Sequence, residues 1–136
     1  MNPKLMIGML WIFDKLVLKY HPILAAHLTK HNVANSFFWA FEQFLCLFCS
    51  KFPFTFTARI IDIFLHEGEK ILFRVGLMLL KIKKPSLLKM KDEPDLMQAL
   101  QRNEVLIDFD EFFERAHKKY TFSRKWLRKK RKEYDE

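Results

Sequence analysis

Apolar residues recur along this chain three and four positions apart, which is the spacing of an amphipathic α-helix. Between residues 5 and 19 the positions with this spacing are Met6, Met9, Leu10, Phe13, Leu16 and Val17. Side chains at these spacings share one face, so the segment predicts a helix with a single buried side. Pro22 is tolerated only in the first turn of a helix, so a second short helix is predicted over residues 23–31.

A phenylalanine-rich helix is predicted in front of Pro53. Its apolar stripe consists of Phe37, Phe41, Phe44 and Phe48. Because the chain has 15 Phe in 136 residues, either its core is unusually rich in Phe or part of this surface meets a neighbouring domain. The next helix is predicted to begin near Thr55 or Thr57 and to end at Gly68, which suits a left-handed C-cap.

Residues 69–83 predict a helix that is apolar nearly all round and therefore buried on most sides. Gly76 in its middle costs about 1 kcal/mol of helix propensity relative to Ala, and close contact with another helix is the expected compensation. Pro85 and Pro94 are predicted to bracket a short polar connection, and one short helix follows Pro94. Asp108 precedes a final long helix that is predicted to run on into the basic end of the chain.

Composition agrees with a helical fold. The chain has 3 Gly and 5 Pro, and Val and Thr are sparse beside Leu, Phe, Met, Lys and Glu. We therefore predict an all-α chain built as an irregular helical array, of a length that suits one domain. We divide it into a helical body at residues 1–107 and a C-terminal helix with a basic tail at residues 108–136, docked on the same domain.

The formal charge of +8 is concentrated near the C-terminus. Residues 118–132 contain nine Lys or Arg and no acidic residue, whereas the rest of the chain has 15 basic and 16 acidic side chains. Seven of these cations are candidates for contact with an anionic surface: Arg124, Lys125, Arg128, Lys129, Lys130, Arg131 and Lys132. Charge alone leaves open an anionic membrane or a nucleic acid as the partner.

Tyr120, Leu127 and Tyr134 recur every seven residues within this basic stretch. The repeat favours a docked helix whose basic face is simply solvated, with its cations favourable near the end of the helix. Attraction to an anionic membrane is the second interpretation, and no nucleic-acid partner is expected.

No side-chain cluster predicts a metal, a cofactor or a catalytic centre. Cys46 and Cys49 have the CxxC spacing but form a lone pair in an apolar helix, which favours two core cysteines. His27 and His31 are four apart, but position 28 is Leu where a zinc protease needs Glu.

The acidic residues around Asp108 resemble the end of an EF-hand loop, but the residues upstream do not match the calcium ligands that such a loop requires. With Glu111 at loop position 12, the first and sixth positions would be Leu100 and Val105 instead of Asp and Gly. These acids are better explained as a helix N-cap and first turn.

No uncharged apolar run reaches the ~18 residues that cross a bilayer, and residues 1–13 are followed by Asp14 and Lys15 with no cleavage site. Two cysteines without a disulfide framework are typical of a reducing compartment. We therefore expect a cytoplasmic protein.

Three segments, residues 43–53, 58–68 and 71–81, resemble successive blocks of the TBC domain, the helical module of Rab GTPase-activating proteins. The sequences are QFLCLFCSKFP, ARIIDIFLHEG and ILFRVGLMLLK, and their order and spacing agree with the family. Pro22 to Leu28 and the ending Lys132-Glu-Tyr134 also fit. Gln43 and Ile61 depart from it, because the family usually has Trp and an aromatic residue there.

The resemblance implies a fold like the C-terminal subdomain of a TBC domain, with a Rab-type small GTPase as partner and a cytoplasmic location at endomembranes. The family's catalytic arginine lies in an Ile-x-x-Asp-x-x-Arg motif and its glutamine in a Tyr-x-Gln motif, and neither occurs in this sequence. We therefore expect a fragment of a GTPase activator without an active site of its own. The alternative is a non-catalytic interaction module that binds a GTPase, another protein or an anionic membrane surface.

Four residues of the matching blocks are assigned to the structural motif: Arg59, Asp62, Gly68 and Arg74. Arg59 is three positions before Asp62 and is predicted to pair with it along the helix. No catalytic residue is assigned.

Overall fold

A computed structural model of the chain describes residues 3–33, 35–45, 53–102 and 108–136. Within these ranges all regular secondary structure is helical, so the predicted all-α class is confirmed. The helices are α1 (Pro3–Tyr20), α2 (Pro22–Lys30), α3 (Phe37–Leu45), α4 (Phe54–Glu67), α5 (Lys70–Lys89), α6 (Glu93–Gln101), α7 (Phe109–Lys119) and α8 (Arg124–Asp135).

Helix α5 lies at the centre of the array and contacts α1, α2, α4, α6 and α7. Every side chain from residue 71 to residue 80 is buried, including the guanidinium of Arg74. This confirms the expectation that a helix apolar nearly all round is covered on most sides.

Helix α1 forms the second layer of the core and contacts α2, α3, α5 and α8. All six residues of its predicted apolar face are at most 5% exposed: Met6, Met9, Leu10, Phe13, Leu16 and Val17. Helix α2 then begins at Pro22, which occupies the first turn as predicted.

Gly76 lies where α5 meets α1. A β-carbon built on Gly76 would lie 2.7 Å from Cε1 of Phe13 and 3.3 Å from Cε1 of Phe44. The Phe13 ring is itself held against Phe44 and Trp39, at centroid distances of 5.0 and 5.9 Å. The close helix contact predicted for this glycine is therefore present, and it is an aromatic ring that occupies the space.

Gly68 ends α4 with a positive φ, as predicted, but its conformation differs from the expected one. Its φ of 78° is combined with a ψ of −153°, outside the left-handed helical region. This part of conformational space is essentially reserved for glycine, and it turns the chain sharply from α4 into α5.

Pro85 does not end α5, so the predicted break before it is wrong. The helix continues to Lys89 with Pro85 inside it. Proline has no N–H to donate to the carbonyl of Lys81, and because Lys81 is an exposed residue this backbone bond is lost on the solvent side of the helix. Downstream, the buried Leu87 anchors the last turn to the core. Tertiary packing thus outweighs the local preference of proline.

The final helix is also interrupted, contrary to the prediction of one continuous element. Helix α7 ends at Lys119, and α8 begins at Arg124. The break lets Tyr120 and Phe122 turn into the core, where both are buried. Ser123 then caps α8, its hydroxyl accepting a hydrogen bond from the backbone N–H of Trp126 at 3.0 Å.

The exposed apolar surface is found on α4 as well as at scattered positions elsewhere. Phe44 of the predicted phenylalanine stripe is 1% exposed and Phe41 is half-buried, while the side chains of Phe37 and Phe48 lie outside the described residues. On α4, by contrast, Phe54 is 84% and Leu65 is 75% exposed.

Among the described helices, none combines the length and the apolar character needed to cross a lipid bilayer.

We predict that Gly76→Ala destabilises the protein by about 1–2 kcal/mol, because the overpacking against Phe13 exceeds the gain in helix propensity. Chemical denaturation of the two proteins measures this difference. As the control, Phe13→Leu combined with Gly76→Ala should cost less than the sum of the single changes. Strictly additive costs would contradict the assignment of the effect to this contact.

Candidate functional site

Arg74 joins three parts of the fold. Its side chain lies in the second turn of α5 and is 8% exposed. The guanidinium donates to the backbone carbonyl of Tyr120 at 3.0 Å through Nε and to the carboxylate of Glu67 at 3.2 Å through Nη1. It also lies over the ring of Phe122, 5.7 Å from the centroid. One buried cation thus connects α5 to the end of α4 and to the segment between α7 and α8.

Tyr120 is also held through its side-chain hydroxyl, at the other end of the residue from the carbonyl that Arg74 binds. Its hydroxyl donates to the carbonyl of Leu77 at 3.1 Å and lies 2.7 Å from Nε2 of His21. The ring packs edge-on against Tyr20, with centroids 5.1 Å apart. Burial raises the pKa of Tyr120, so the neutral hydroxyl that these contacts require is retained.

His21 is buried between α1 and α2 and is neutral in the folded protein. The pKa of His21 is lowered from its ordinary value of 6.5 to about 4, mainly by burial and to a smaller extent by the nearby cations of Lys119, Lys84 and Lys81. A hydrogen bond to the Leu77 carbonyl opposes this shift. Protonation of His21 would place a charge in a site that already faces three ammonium groups.

Arg59 does not pair with Asp62, so the predicted contact along α4 is wrong. Its guanidinium reaches across to α7, where it contacts the carboxylate of Asp110 and lies over the ring of Phe113. Helices α4 and α7 meet there through Phe56, and this packing brings the first turn of α7 within reach of the Arg59 guanidinium. Since the Arg59 side chain is 44% exposed, its ion pair contributes at most about 1 kcal/mol.

A groove of about 400 Å³ runs between α4, α5 and α7. Both motif arginines line it, and each is already bound to a carboxylate: Arg59 to Asp110 and Arg74 to Glu67. The carboxylates neutralise the two cations, so the groove is poorly suited to bind an anion.

The basic residues of α8 form the second candidate region. The helix packs on α1 through the buried Leu127 and through Tyr134, whose ring lies 5.5 Å from that of Trp11. Two of the predicted surface cations have internal partners: Arg131 binds Glu69 at 2.7 Å, and Lys130 binds Glu133 at 3.0 Å. The other five are exposed and have no carboxylate within ion-pair distance in the described part of the chain: Arg124, Lys125, Arg128, Lys129 and Lys132.

Two lysines of α1, which the sequence did not single out, extend this basic surface. The ammonium of Lys19 lies 5.1 Å from the ring centroid of Trp126 in α8. Lys15, one turn earlier, lies 4.9 Å from the centroid of Trp11, and the Trp11 ring in turn packs against Tyr134 of α8. Their four-residue spacing was visible, but only the packing of α8 on α1 reveals that they adjoin the basic tail.

Among the described residues no group of three or more His, Cys, Asp or Glu is placed to hold a metal ion. His27 lies with Nε2 2.7 Å from the carbonyl of Met90, and its ring centroid is 4.5 Å from that of His31. Cys46 and Cys49 fall outside the described residues. Asp108 caps α7 as predicted, accepting a hydrogen bond from the backbone N–H of Asp110 at 3.1 Å.

The two departures from the TBC pattern occupy different surroundings. Gln43 is buried in α3, and its amide donates to the carbonyl of Gln101 at 3.4 Å, so it contributes a polar contact between α3 and α6. Ile61 is 39% exposed on α4. An aromatic residue would therefore have room at position 61.

The fold defined by these contacts is an array of helices packed around α5. Residues 2–88 match the Rab-GTPase-TBC domain family, and the chain belongs to this family. It superposes on the crystal structure of the Chlamydomonas flagellar RabGAP TBC domain with a TM-score of 0.62 and 30% identity, covering 68% of this chain and 31% of that one.

Among curated relatives, the chain is 34% identical over 90 residues to the mouse ecotropic viral integration site 5 protein. It is 35% identical over 99 residues to the GTPase activating protein Gyp51 of Schizosaccharomyces pombe. These matches cover 66% and 73% of this chain but only 11% and 9% of the relatives, so the chain spans a small part of their length.

We predict that Arg74→Met lowers the free energy of unfolding by about 2–3 kcal/mol, because the buried carbonyl of Tyr120 loses a charged donor. Arg59→Met, the matched change at the exposed motif arginine, should cost less than about 1 kcal/mol. Urea denaturation of both variants measures the two costs. Equal losses of unfolding free energy in the two variants would contradict the conclusion that Arg74 is a buried structural residue and Arg59 part of a surface ion pair.

We also predict a pH dependence of stability that originates at His21. Between pH 6.5 and about 4 the unfolded chain binds a proton at this residue and the folded protein does not. The free energy of unfolding should therefore fall by up to about 3 kcal/mol as the pH falls through this window. Denaturation at a series of pH values measures this. The free energy of unfolding should fall less steeply in His21→Gln than in the parent protein, and as steeply as in the parent protein in His66→Gln. An unchanged slope in His21→Gln would contradict the assignment.

Proposed function

We propose that this chain forms the C-terminal helical part of a Rab GTPase-activating TBC domain and that its partner is a Rab-type small GTPase. The observation that supports this most directly is the family match over residues 2–88, together with the likeness to the Chlamydomonas RabGAP TBC domain. A regulator of Rab GTPases works in vesicle traffic, so we place the chain in the cytoplasm, at the surface of endomembranes. It needs no cofactor of its own in this role.

In this proposal the chain supplies a scaffold and a binding surface, and catalysis depends on groups outside it. GTPase activation uses an arginine that neutralises charge on the transferred phosphoryl group and a glutamine-type group that orients the attacking water. Neither family motif for these residues occurs in the sequence. The guanidinium groups of Arg59 and Arg74 already pair with other residues of the fold, so moving either one to a nucleotide would break an existing contact.

The second candidate function is a non-catalytic module that binds a GTPase or another protein through its helical surface. The exposed apolar residues of α4 favour this role. Phe54, Ile61 and Leu65 are 84, 39 and 75% exposed, and with Ala58 they follow the alternating four- and three-residue spacing of a helix-pairing face. In this alternative the GTPase or protein would bind without any change in the rate of GTP hydrolysis.

We predict that the purified chain alone does not accelerate GTP hydrolysis by any member of a Rab panel. An activating arginine is worth a factor of about 10³ to 10⁵ in rate, and the family motif that carries it does not occur in this sequence. A single-turnover assay with the chain in excess measures the effect. Adding the separately expressed preceding half of a related TBC domain, which carries both motifs, should restore stimulation for a matching Rab.

The same assay contains its control. Replacing the catalytic arginine in the added half should abolish the restored stimulation, whereas Arg59→Met in this chain should leave it unchanged. Stimulation by the chain alone that disappears in Arg59→Met or Arg74→Met would overturn the scaffold role. Rab binding without stimulation in any combination would favour the second candidate.

A further inference from the structure

We propose that the face formed by α8 and the adjoining flank of α1 docks on an anionic lipid bilayer. The inference rests on the geometry of this face and stands whether or not the chain binds a Rab. The cations that carry it are Lys15, Lys19, Arg124, Lys125, Arg128, Lys129 and Lys132.

The unpaired cations of α8 are concentrated on one side of the helix. Lys125, Lys129 and Lys132 follow one another at four- and three-residue spacing, so they share one side of α8, and Arg124 and Arg128 lie beside them. All five are exposed and unpaired within the described part of the chain. Like charges held this close repel one another, and an anionic surface relieves that repulsion.

The packing of α8 presents these cations on a fixed element instead of a loose tail. Leu127 is buried beneath the helix, and Tyr134 covers Gly8 of α1, with ring atoms 3.2 Å from the position of an added β-carbon. Arg131 binds both oxygens of Glu69, at 2.9 and 2.7 Å, and so links α8 to the start of α5. Because the helix is already ordered, binding to a surface requires little further loss of conformational entropy.

Amphipathic aromatic residues lie at the edges of the basic face. Trp126 is half-buried, with the ammonium groups of Lys19 and Lys130 5.1 and 5.5 Å from its ring centroid. Tyr134 is 37% exposed at the other end of α8. Trp and Tyr flanked by lysines are the residues favoured at the boundary between lipid headgroups and water.

The same contacts disfavour a nucleic acid as the occupant. Sequence-tolerant binding of single strands depends on bases stacking on exposed aromatic faces. Ammonium groups lie over the ring of Trp126, and Tyr134 is packed against Trp11. The surface therefore has charge for phosphate groups but no open stacking platform, which suits lipid headgroups better.

The test uses the full chain and flotation with vesicles of phosphatidylcholine alone or mixed with phosphatidylserine. We expect binding only to the phosphatidylserine vesicles and its loss at high salt. The triple change Lys125→Gln, Lys129→Gln and Lys132→Gln should weaken partition by about 100-fold. The matched control removes the same charge from three exposed lysines outside this face, Lys30 at the end of α2 and Lys89 and Lys91 at the end of α5, through Lys30→Gln, Lys89→Gln and Lys91→Gln. This control should bind like the parent chain.

A second pair of changes, Lys15→Gln with Lys19→Gln, tests whether α1 belongs to the docking face, and it too should weaken partition. Circular dichroism of every variant verifies that the helices are retained. Equal loss in the control would overturn the assignment to this face, because only net charge would then matter. Equal binding to phosphatidylcholine alone, or tighter binding to a DNA oligonucleotide than to the vesicles at the same salt, would overturn the choice of an anionic bilayer.

Discussion

The packing around α5 depends on Tyr120, which buried groups hold at both its carbonyl and its hydroxyl. Its carbonyl accepts from Arg74, and its hydroxyl contacts the Leu77 carbonyl and His21. Through these bonds the central helix α5 is joined to the junction of α1 and α2 and to the end of α7. Each partner is buried, so the loss of one leaves a polar group without water or protein to satisfy it. The segment after Tyr120 leads into α8, which begins four residues later.

The two arginines of the TBC-like blocks show how burial sets the role of a charge. Arg74 is enclosed and has a carbonyl, a carboxylate and an aromatic ring as partners, so it acts as a tie between helices. Arg59 is half exposed and forms a surface pair with Asp110. Five cations of α8 represent a third case, because they are exposed and have no carboxylate partner in the described part of the chain.

Local rules predicted much of the chain, and the two errors in helix boundaries share one cause. The apolar face of α1, the restart at Pro22 and the cap at Asp108 follow from nearest-neighbour geometry and were predicted correctly. Pro85 was expected to end a helix, but the buried Leu87 keeps α5 going. The break after Lys119 was missed because nothing local requires it. In both of these errors, burial of side chains in the core outweighs the preference of the nearby backbone.

The sequence by itself determined the all-α class, the resemblance to the TBC domain and the concentration of positive charge near the C-terminus, because periodicity, motif spacing and composition are properties of neighbouring positions. Only the tertiary structure decided which cations are neutralised, that Arg59 meets Asp110 instead of Asp62, and that Lys15 and Lys19 adjoin the basic face. These pairings join residues far apart in the chain. Their distances are set by how α1, α4, α7 and α8 pack around α5, and no local pattern of residues encodes that packing.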